Sequence, residues 1–287
     1  MASLSSGTTY TIAVDVSDTA GNAATQNTGT SFVYDTVAPT ISSIAVTGVT
    51  SGQYGNSDST YTVIVTASEA LSAAPTLTLS GGSVGSGAGS VSDTVWTYTF
   101  TPTDADEAVT LDVAVGAASD SAANLNTAAA TQFAFTHDAT HPTLTIAMAS
   151  NNADNTKATT TDVVTLTITA SESVSNLVCT IDGEATTMGG SGTSWTSALT
   201  LSGDETQGAT AFSCGSHTDV AGNAGATDTT ANSGSVTIDT IAPTMTIQSS
   251  TVSSGGSTAT AAIALTFTSS ESTTNFVATD ITVSGCS

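Results

Sequence analysis

The chain has 287 residues, of which 24 are acidic and only one, Lys157, is basic, so its formal charge is −23. Without clustered Lys and Arg it cannot neutralise phosphates, which excludes nucleic acid as a partner. No apolar run approaches the ~18–20 residues of a spanning helix, which excludes direct membrane insertion by a helix. The chain is rich in Thr and Val and poor in Lys, a composition that favours strands. We therefore expect an all-β protein with two or three domains.

Alternating apolar and polar residues mark the predicted strands. The first 35 residues hold two of them, and the clearest one follows at 61–67, where Tyr61, Val63, Val65 and Ala67 face one way. Further alternating runs occur, in chain order, at 96–100, 109–115, 132–135, 164–170 and 263–269. A period of two residues is typical of a strand with one buried face.

Three short motifs recur with a period of about 100 residues, which indicates a tandem repeat. The motif Asp-x-x-x-Pro-Thr begins at Asp35, Asp138 and Asp239. A Ser-Glu pair closes an alternating strand at Glu69, Glu172 and Glu271. The turn Asp-x-Ala-Gly-Asn begins at Asp18 and Asp219, with a weaker copy at Asp120. Trp96 and Trp195, which are 99 residues apart, follow the same spacing.

The repeat predicts four units. These are the C-terminal part of a domain at 1–35 (domain 0), complete domains at 36–138 (domain 1) and 139–239 (domain 2), and the N-terminal part of a domain at 240–287 (domain 3). About seven short strands in 100 residues are typical of an immunoglobulin-like β-sandwich. The predicted fold is therefore all-β, with tandem immunoglobulin-like sandwiches of about 100 residues in a linear array. The partial domains have two interpretations: a segment of a longer array, or halves that neighbouring chains complete.

The Asp-x-x-Ala-Pro-Thr linker and the Asp-x-Ala-Gly-Asn turn resemble those of the tandem bacterial immunoglobulin-like domains of large surface adhesins, and more loosely those of cadherin-type repeats. The resemblance covers essentially the whole chain. It implies rigid extracellular spacers, often stiffened by calcium at the domain junctions.

The repeated acids fall at the poles of such a sandwich. One pole gathers the entering linker, the loop after the second strand and the loop before the last strand. The acids predicted there are Asp35, Glu69 and Asp120 in domain 1, Asp138, Glu172 and Asp219 in domain 2, and Asp239 and Glu271 in domain 3. The loop between the fifth and sixth strands faces the next domain and carries Asp104, Asp106 and Glu107 in domain 1, and Asp204 and Glu205 in domain 2.

These acids have two interpretations. Clustered carboxylates repel one another, and calcium, which takes 6–8 oxygen ligands, removes that repulsion. Alternatively, each Asp forms a turn by accepting hydrogen bonds from backbone N–H groups, and the acids keep the protein soluble. A third ligand set, for a transition metal, would be His137, His141 and His217, which flank the acids of domain 2.

The cysteines suggest an oxidising environment. Cys179 falls in the predicted third strand of domain 2 and Cys214 in the sixth, which are neighbours in the usual immunoglobulin order, so that a disulfide is feasible. The alternative is two buried thiols. Cys286 is left over and lies in the partial domain 3.

No catalytic motif stands out, and we expect the protein not to be an enzyme. The predicted function is a spacer segment of an extracellular adhesin or surface stalk, with neighbouring immunoglobulin-like domains or copies of itself as partners and a carbohydrate or protein ligand outside this segment. The alternative is a subunit of an extracellular filament, appendage or surface layer. A carbohydrate-binding module would need an exposed aromatic platform, whereas Trp96 and Trp195 fall in a predicted core strand.

Overall fold

The computed structural model describes residues 3–56, 60–89, 93–103, 106–128, 130 and 132–284. Its strands are β1 (Thr8–Val14), β2 (Asn27–Tyr34), β3 (Ile41–Val46), β4 (Tyr54–Asn56), β5 (Tyr61–Ala67), β6 (Leu77–Ser80), β7 (Ser83–Val84), β8 (Val95–Thr101), β9 (Glu107–Val113), β10 (Phe133–Asp138), β11 (Leu144–Ser150), β12 (Lys157–Ala158), β13 (Val163–Val174), β14 (Val178–Ile181), β15 (Glu184–Ala185), β16 (Thr187–Thr200), β17 (Gly208–Ala209), β18 (Phe212–Gly215), β19 (Thr237–Ile238), β20 (Met245–Ser249) and β21 (Leu265–Ser269). A single turn of 3₁₀-helix covers Ala278–Asp280. Among the described residues, no helix has the length and hydrophobicity needed to span a bilayer.

Domain 1 is a sandwich of two four-stranded sheets. One sheet has the order β3-β5-β8-β7 and the other the order β4-β10-β9-β6. The pairs are antiparallel except that β4 runs parallel to β10. The inward residues of β5, β8 and β9 form one buried cluster with Phe133 and Phe135, because alternate side chains of each strand point to the same face.

Domain 2 repeats this topology, with longer ladders in one sheet and mostly shorter ladders in the opposite layer. One sheet has the order β11-β13-β16. The opposite layer contains β15-β14-β18 and β12-β19-β17, and β12 runs parallel to β19 as β4 does to β10. The sixth strand is split into β17, which pairs with β19, and β18, which pairs with β14. A second buried cluster fills the space between the layers and includes Ile146, Leu166 and Ile181.

Two details of domain 2 differ from the sequence-based expectation. The strand β13 continues through Ser171 and Glu172 to Val174, although its regular pairing with β16 ends at Thr169. Thr186, just before β16, and the first residues of β16 also fold back beside the later part of this strand, since Ser197 Oγ donates to Thr186 Oγ1 at 2.7 Å and Gly190 approaches Ser194.

The partial domains are hairpins with an exposed apolar face. Among the described residues of domain 0, β1 pairs only with β2, and Ile12 and Phe32 are 59% and 43% exposed. In domain 3, β20 pairs with β21, and Ile247 and Leu265 are 62% and 47% exposed. Residues at the equivalent positions of domains 1 and 2 form the sandwich cores.

The predicted fold class is confirmed: the chain is all-β and built of immunoglobulin-like sandwiches. The strand predicted at 61–67 has the bounds of β5, and those predicted at 96–100 and 109–115 correspond to β8 and β9. The tryptophans occupy the equivalent strands β8 and β16. Trp96 is 4% exposed in the core of domain 1, whereas Trp195 is partly buried against the core of domain 2.

Candidate metal site at the domain junctions

The linker motif and the Ser-Glu motif are held together by hydrogen bonds. In each of three domains, the motif Ser accepts the N–H of the motif Thr through its hydroxyl and donates its own N–H to the carbonyl of the same Thr. The three pairs are Ser68 with Thr40, Ser171 with Thr143, and Ser270 with Thr244. The glutamate that follows each Ser is thereby placed beside the linker that carries the motif Asp.

The Asp-x-Ala-Gly-Asn turn has the same structure at each copy. In domain 1, Asp120 accepts the N–H groups of Ala122 and Asn124 at 2.8 and 2.9 Å and the side-chain amide of Asn124 at 2.8 Å. Asp219 accepts the N–H groups of Gly222 and Asn223 and the Asn223 side chain in the same way. The turn-forming role predicted for these carboxylates is thus present in the structure.

The Asn of the turn also contacts the linker. Asn124 Nδ2 donates to the backbone carbonyl of Asp35 at 3.2 Å, and Asn223 Nδ2 donates to that of Asp138 at 3.0 Å. Asn223 is fully buried. The loop before the last strand is therefore fastened to the entering linker, a contact that the sequence reasoning did not foresee.

The structure brings together two of the three predicted acid groups. Asp35, Glu69 and Asp120 each place a carboxylate oxygen within 4.8 Å of the others, and Asp138, Glu172 and Asp219 do the same. We name these two groups the junction triads. One acid of each is buried, Asp120 at 3% and Asp219 at 5% exposed, and the others are half-buried.

In both junction triads, the glutamate is the acid whose pKa is raised. Burial, followed by the charges of Asp120 and Asp35, raises the pKa of Glu69. Burial, followed by the charges of Asp219, Asp138 and Asp106, raises the pKa of Glu172. Among the described residues, neither glutamate carboxylate accepts a hydrogen bond.

The pKa of Asp120 is instead lowered. Its burial raises its pKa more than any other single influence, but the hydrogen bonds from Asn124, Ala122 and Ala123 together outweigh burial and lower it. Asp120 therefore stays ionised and contributes a fixed negative charge to the triad.

A calcium ion suits this set of ligands. Three carboxylates with no cationic partner nearby offer hard oxygen donors, and backbone carbonyls and water supply the remainder of a shell of 6–8. The hydrogen bonds to Asp120 and Asp219 leave part of each carboxylate free, because a carboxylate has about four acceptor sites and the turn uses three. The triads thus have the chemistry for a divalent cation as well as for a turn.

Two of the acids between the fifth and sixth strands bond within their own loops. Glu107 Oε1 accepts the N–H and the hydroxyl of Thr103, so it stabilises its own loop. Glu205 does the same with Ser202 and Gly203. Burial favours its neutral form, but these hydrogen bonds outweigh burial and lower its pKa.

Asp106 and Asp204, which belong to the same loops, do not bond in this way. Asp106 reaches the following linker, where it accepts the N–H of Ala139 at 2.7 Å and the hydroxyl of Thr140 at 2.8 Å. Asp204 is exposed and lines an acidic cavity of about 370 Å³ together with Asp182 and Glu184. Asp104 lies outside the described residues.

In domain 3, Asp239 and Glu271 line a common open cavity of about 370 Å³ but have no third acid within the described chain. Within the described part of the chain, the three histidines belong to no group of potential metal ligands. His137 and His217 are 1% exposed and packed inside the domains, and His141 Nδ1 lies 2.9 Å from the carbonyl of Ala224.

Domain 2 also carries a disulfide. Cys179 and Cys214 are opposite one another on the paired strands β14 and β18 and are joined through their sulfurs. Both are buried in the core. In domain 1 the equivalent strands β6 and β9 pair Leu77 with Val113, so an apolar contact occupies this place. Cys286 lies outside the described residues.

Comparison with known proteins gives no family assignment. No protein family and no curated protein matches the chain. Among solved structures, it is similar to fibronectin(III)-like modules of Clostridium thermocellum CbhA, at 14% identity over 69% of this chain and 94% of that chain, with a TM-score of 0.34. It is also similar to SGBP-B of the Bacteroides ovatus mixed-linkage glucan utilization locus, solved with a mixed-linkage heptasaccharide, at 18% identity over 90% of this chain and 59% of that chain, with a TM-score of 0.21.

Proposed function

We propose that the chain is a structural segment of an extracellular adhesin or surface stalk, in which tandem sandwiches form a spacer that calcium stiffens at the junctions. The junction triads are the observation that carries this proposal. Each triad combines one acid of the linker with two acids of the following domain, so a cation shared by all three would hold the linker against that domain.

The composition supports an exposed setting. With Lys157 as the only basic residue, trypsin-like proteases have one site to cleave. The disulfide of domain 2 is of a kind that persists in oxidising compartments. Extracellular calcium modules commonly bind in the range of about 10⁻⁴–10⁻³ M, which matches a site of few charges that water can enter.

Calcium titration by isothermal calorimetry, after removal of divalent ions with chelator, tests the proposal. We expect binding at the two described triads, and Glu69→Gln and Glu172→Gln should each abolish one site. Glu184→Gln, which removes an exposed carboxylate away from the triads, is the matched control. Absence of binding at millimolar calcium, or equal binding by all three variants, would contradict the calcium part of the proposal.

The exposed faces of the hairpins favour a second candidate function, a subunit of an extracellular filament, appendage or surface layer. In domain 1 the sixth and seventh strands pack on the first and second, and the hairpins of domains 0 and 3 present these two halves uncovered. The hairpin of one chain would then close onto that of the next.

Sedimentation and electron microscopy of the purified chain distinguish the two candidates. A filament subunit forms concentration-dependent linear assemblies, and Ile247→Asp disrupts them. Val220→Asp, which changes an equally exposed apolar residue in a turn of domain 2, should leave them intact. A chain that stays monomeric at high concentration would count against the filament.

A further inference from the structure

The residue after each linker Asp makes a hydrogen bond that the repeat motifs do not predict. Its backbone N–H donates to a side-chain oxygen of the preceding domain, located just before the sixth strand. The donor and acceptor pairs are Thr36 with Ser6 Oγ at 2.9 Å, Ala139 with Asp106 Oδ1 at 2.7 Å, and Thr240 with Gln207 Oε1 at 2.8 Å.

The three acceptors differ in chemistry but agree in place. A hydroxyl, a carboxylate and a carboxamide each present an oxygen to the same backbone amide. Asp106 and Gln207 make a second bond to a threonine hydroxyl of the linker, Thr140 at 2.8 Å and Thr240 at 2.7 Å. Recurrence at three junctions with three residue types indicates that the accepting oxygen, and not the charge, is the common feature.

These bonds attach the linker to the opposite neighbour from the triads. In the junction between domains 1 and 2, Asp106 belongs to domain 1, whereas Glu172, Asp219 and Asn223 belong to domain 2. The linker is therefore bonded to the preceding domain through Ala139 and to the following domain through the carbonyl of Asp138. Both contacts are between protein groups.

We propose that Ser6, Asp106 and Gln207 form a metal-independent clamp that fixes each linker to the preceding domain. At each junction the clamp then holds the linker to the preceding domain, and the triad holds it to the following domain. This inference goes beyond the proposed calcium role and does not depend on it.

Amide hydrogen exchange, measured by NMR on the whole chain in excess chelator, tests the clamp. The N–H groups of Thr36, Ala139 and Thr240 should all exchange slowly. Asp106→Ala should speed the exchange of Ala139 about two- to tenfold, the factor expected for one net hydrogen bond, and leave the other two unchanged. Asp106→Asn keeps an accepting oxygen without the charge and should retain the protection, as Gln207 does naturally.

Asp204→Ala is the control for loss of an exposed acid in the corresponding loop of domain 2, and unchanged fluorescence of Trp96 and Trp195 verifies that both sandwiches remain folded. Fast exchange of Ala139 in the unaltered chain, or exchange in Asp106→Asn as fast as in Asp106→Ala, would overturn the proposal. Slow exchange in chelator without any calcium binding would refute the calcium role alone. Calcium binding with an unprotected Ala139 would refute the clamp alone.

Discussion

Ser171 and Thr143 bond to each other twice: the Ser171 hydroxyl accepts the Thr143 N–H at 3.0 Å, and the Ser171 N–H donates to the Thr143 carbonyl at 2.9 Å. The two residues are 28 positions apart and belong to different motifs. Their contact explains why Pro-Thr and Ser-Glu recur together, since the pair holds the start of the first strand against the end of the second.

Removing this hydroxyl should destabilise domain 2. Ser171→Ala leaves the Thr143 N–H without its side-chain partner, and we expect a loss of about 1 kcal/mol in the free energy of unfolding. Ser173→Ala changes an exposed Ser two residues further along β13 and should have little effect. Urea unfolding, followed by Trp195 fluorescence in a Trp96→Phe background, measures both. If Ser171→Ala lowered the free energy of unfolding no more than Ser173→Ala, the Ser171–Thr143 hydrogen bond would not stabilise domain 2.

Asp120 should stabilise domain 1 with or without calcium. Asp120→Ala removes the acceptor of three hydrogen bonds, and we expect a loss of about 2–3 kcal/mol. Because the pKa of Asp120 is lowered in the folded state, its stabilisation is present above the unfolded pKa near 3.8 and is lost as the pH falls through the folded pKa. Thermal unfolding of the unaltered chain and of Asp120→Ala from pH 7 to pH 2, with calcium and with chelator, measures this pH-dependent loss of stability. A loss seen only when calcium is present would show that the carboxylate acts through a metal alone.

Glu172→Gln should change the stability of domain 2 in opposite directions without and with calcium. The pKa of Glu172 is raised in the folded state, so its ionisation opposes folding as the pH rises through that value. In chelator at pH 7 the substitution should stabilise domain 2 modestly, because solvent screens the charges around a half-buried carboxylate. This gain should vanish as the pH falls below the unfolded pKa near 4.5, because the glutamate is then protonated in both states.

With millimolar calcium, Glu172→Gln should instead make domain 2 less stable than in the unaltered chain. The variant lacks one ligand, so calcium binding stabilises it less. Differential scanning calorimetry of the variant, beside Glu184→Gln as control, measures both conditions. A stabilisation that persists unchanged in calcium would mean that Glu172 is not a ligand.

The disulfide should stabilise domain 2 alone. In the chain-entropy account, closing a loop of 35 residues contributes about 3–4 kcal/mol. The double substitution Cys179→Ala with Cys214→Ala, which also loses core volume, should lower the unfolding midpoint reported by Trp195 and leave that reported by Trp96 unchanged. Cys179→Leu with Cys214→Val, which introduces the pair found in domain 1, should recover part of the loss. An equal shift of both midpoints would show that the two sandwiches unfold as one unit.

Much of this architecture follows from the sequence. The alternation at Tyr61–Ala67 identifies β5 because every second side chain of that strand must be buried. The motif period places Asp138, Glu172 and Asp219 at one pole, and the topology of a sandwich then brings their carboxylates together.

The hydrogen-bond partners of the acids cannot be predicted from the sequence. Glu205 and Asp106 come from equivalent loops with similar composition, yet one bonds within its own loop and the other reaches the next linker. That choice depends on the local backbone path, which neither charge nor periodicity specifies. The fold-back at the start of β16 was missed for the same reason, because its Gly and Ser residues carry no alternation.

Small-angle X-ray scattering of the whole chain, with saturating calcium and with excess chelator, tests the central claim most directly. A spacer stiffened at its junctions has a larger maximum dimension and a narrower distance distribution with calcium, and Glu69→Gln with Glu172→Gln removes the difference. Scattering profiles that superimpose in the two conditions would contradict calcium stiffening.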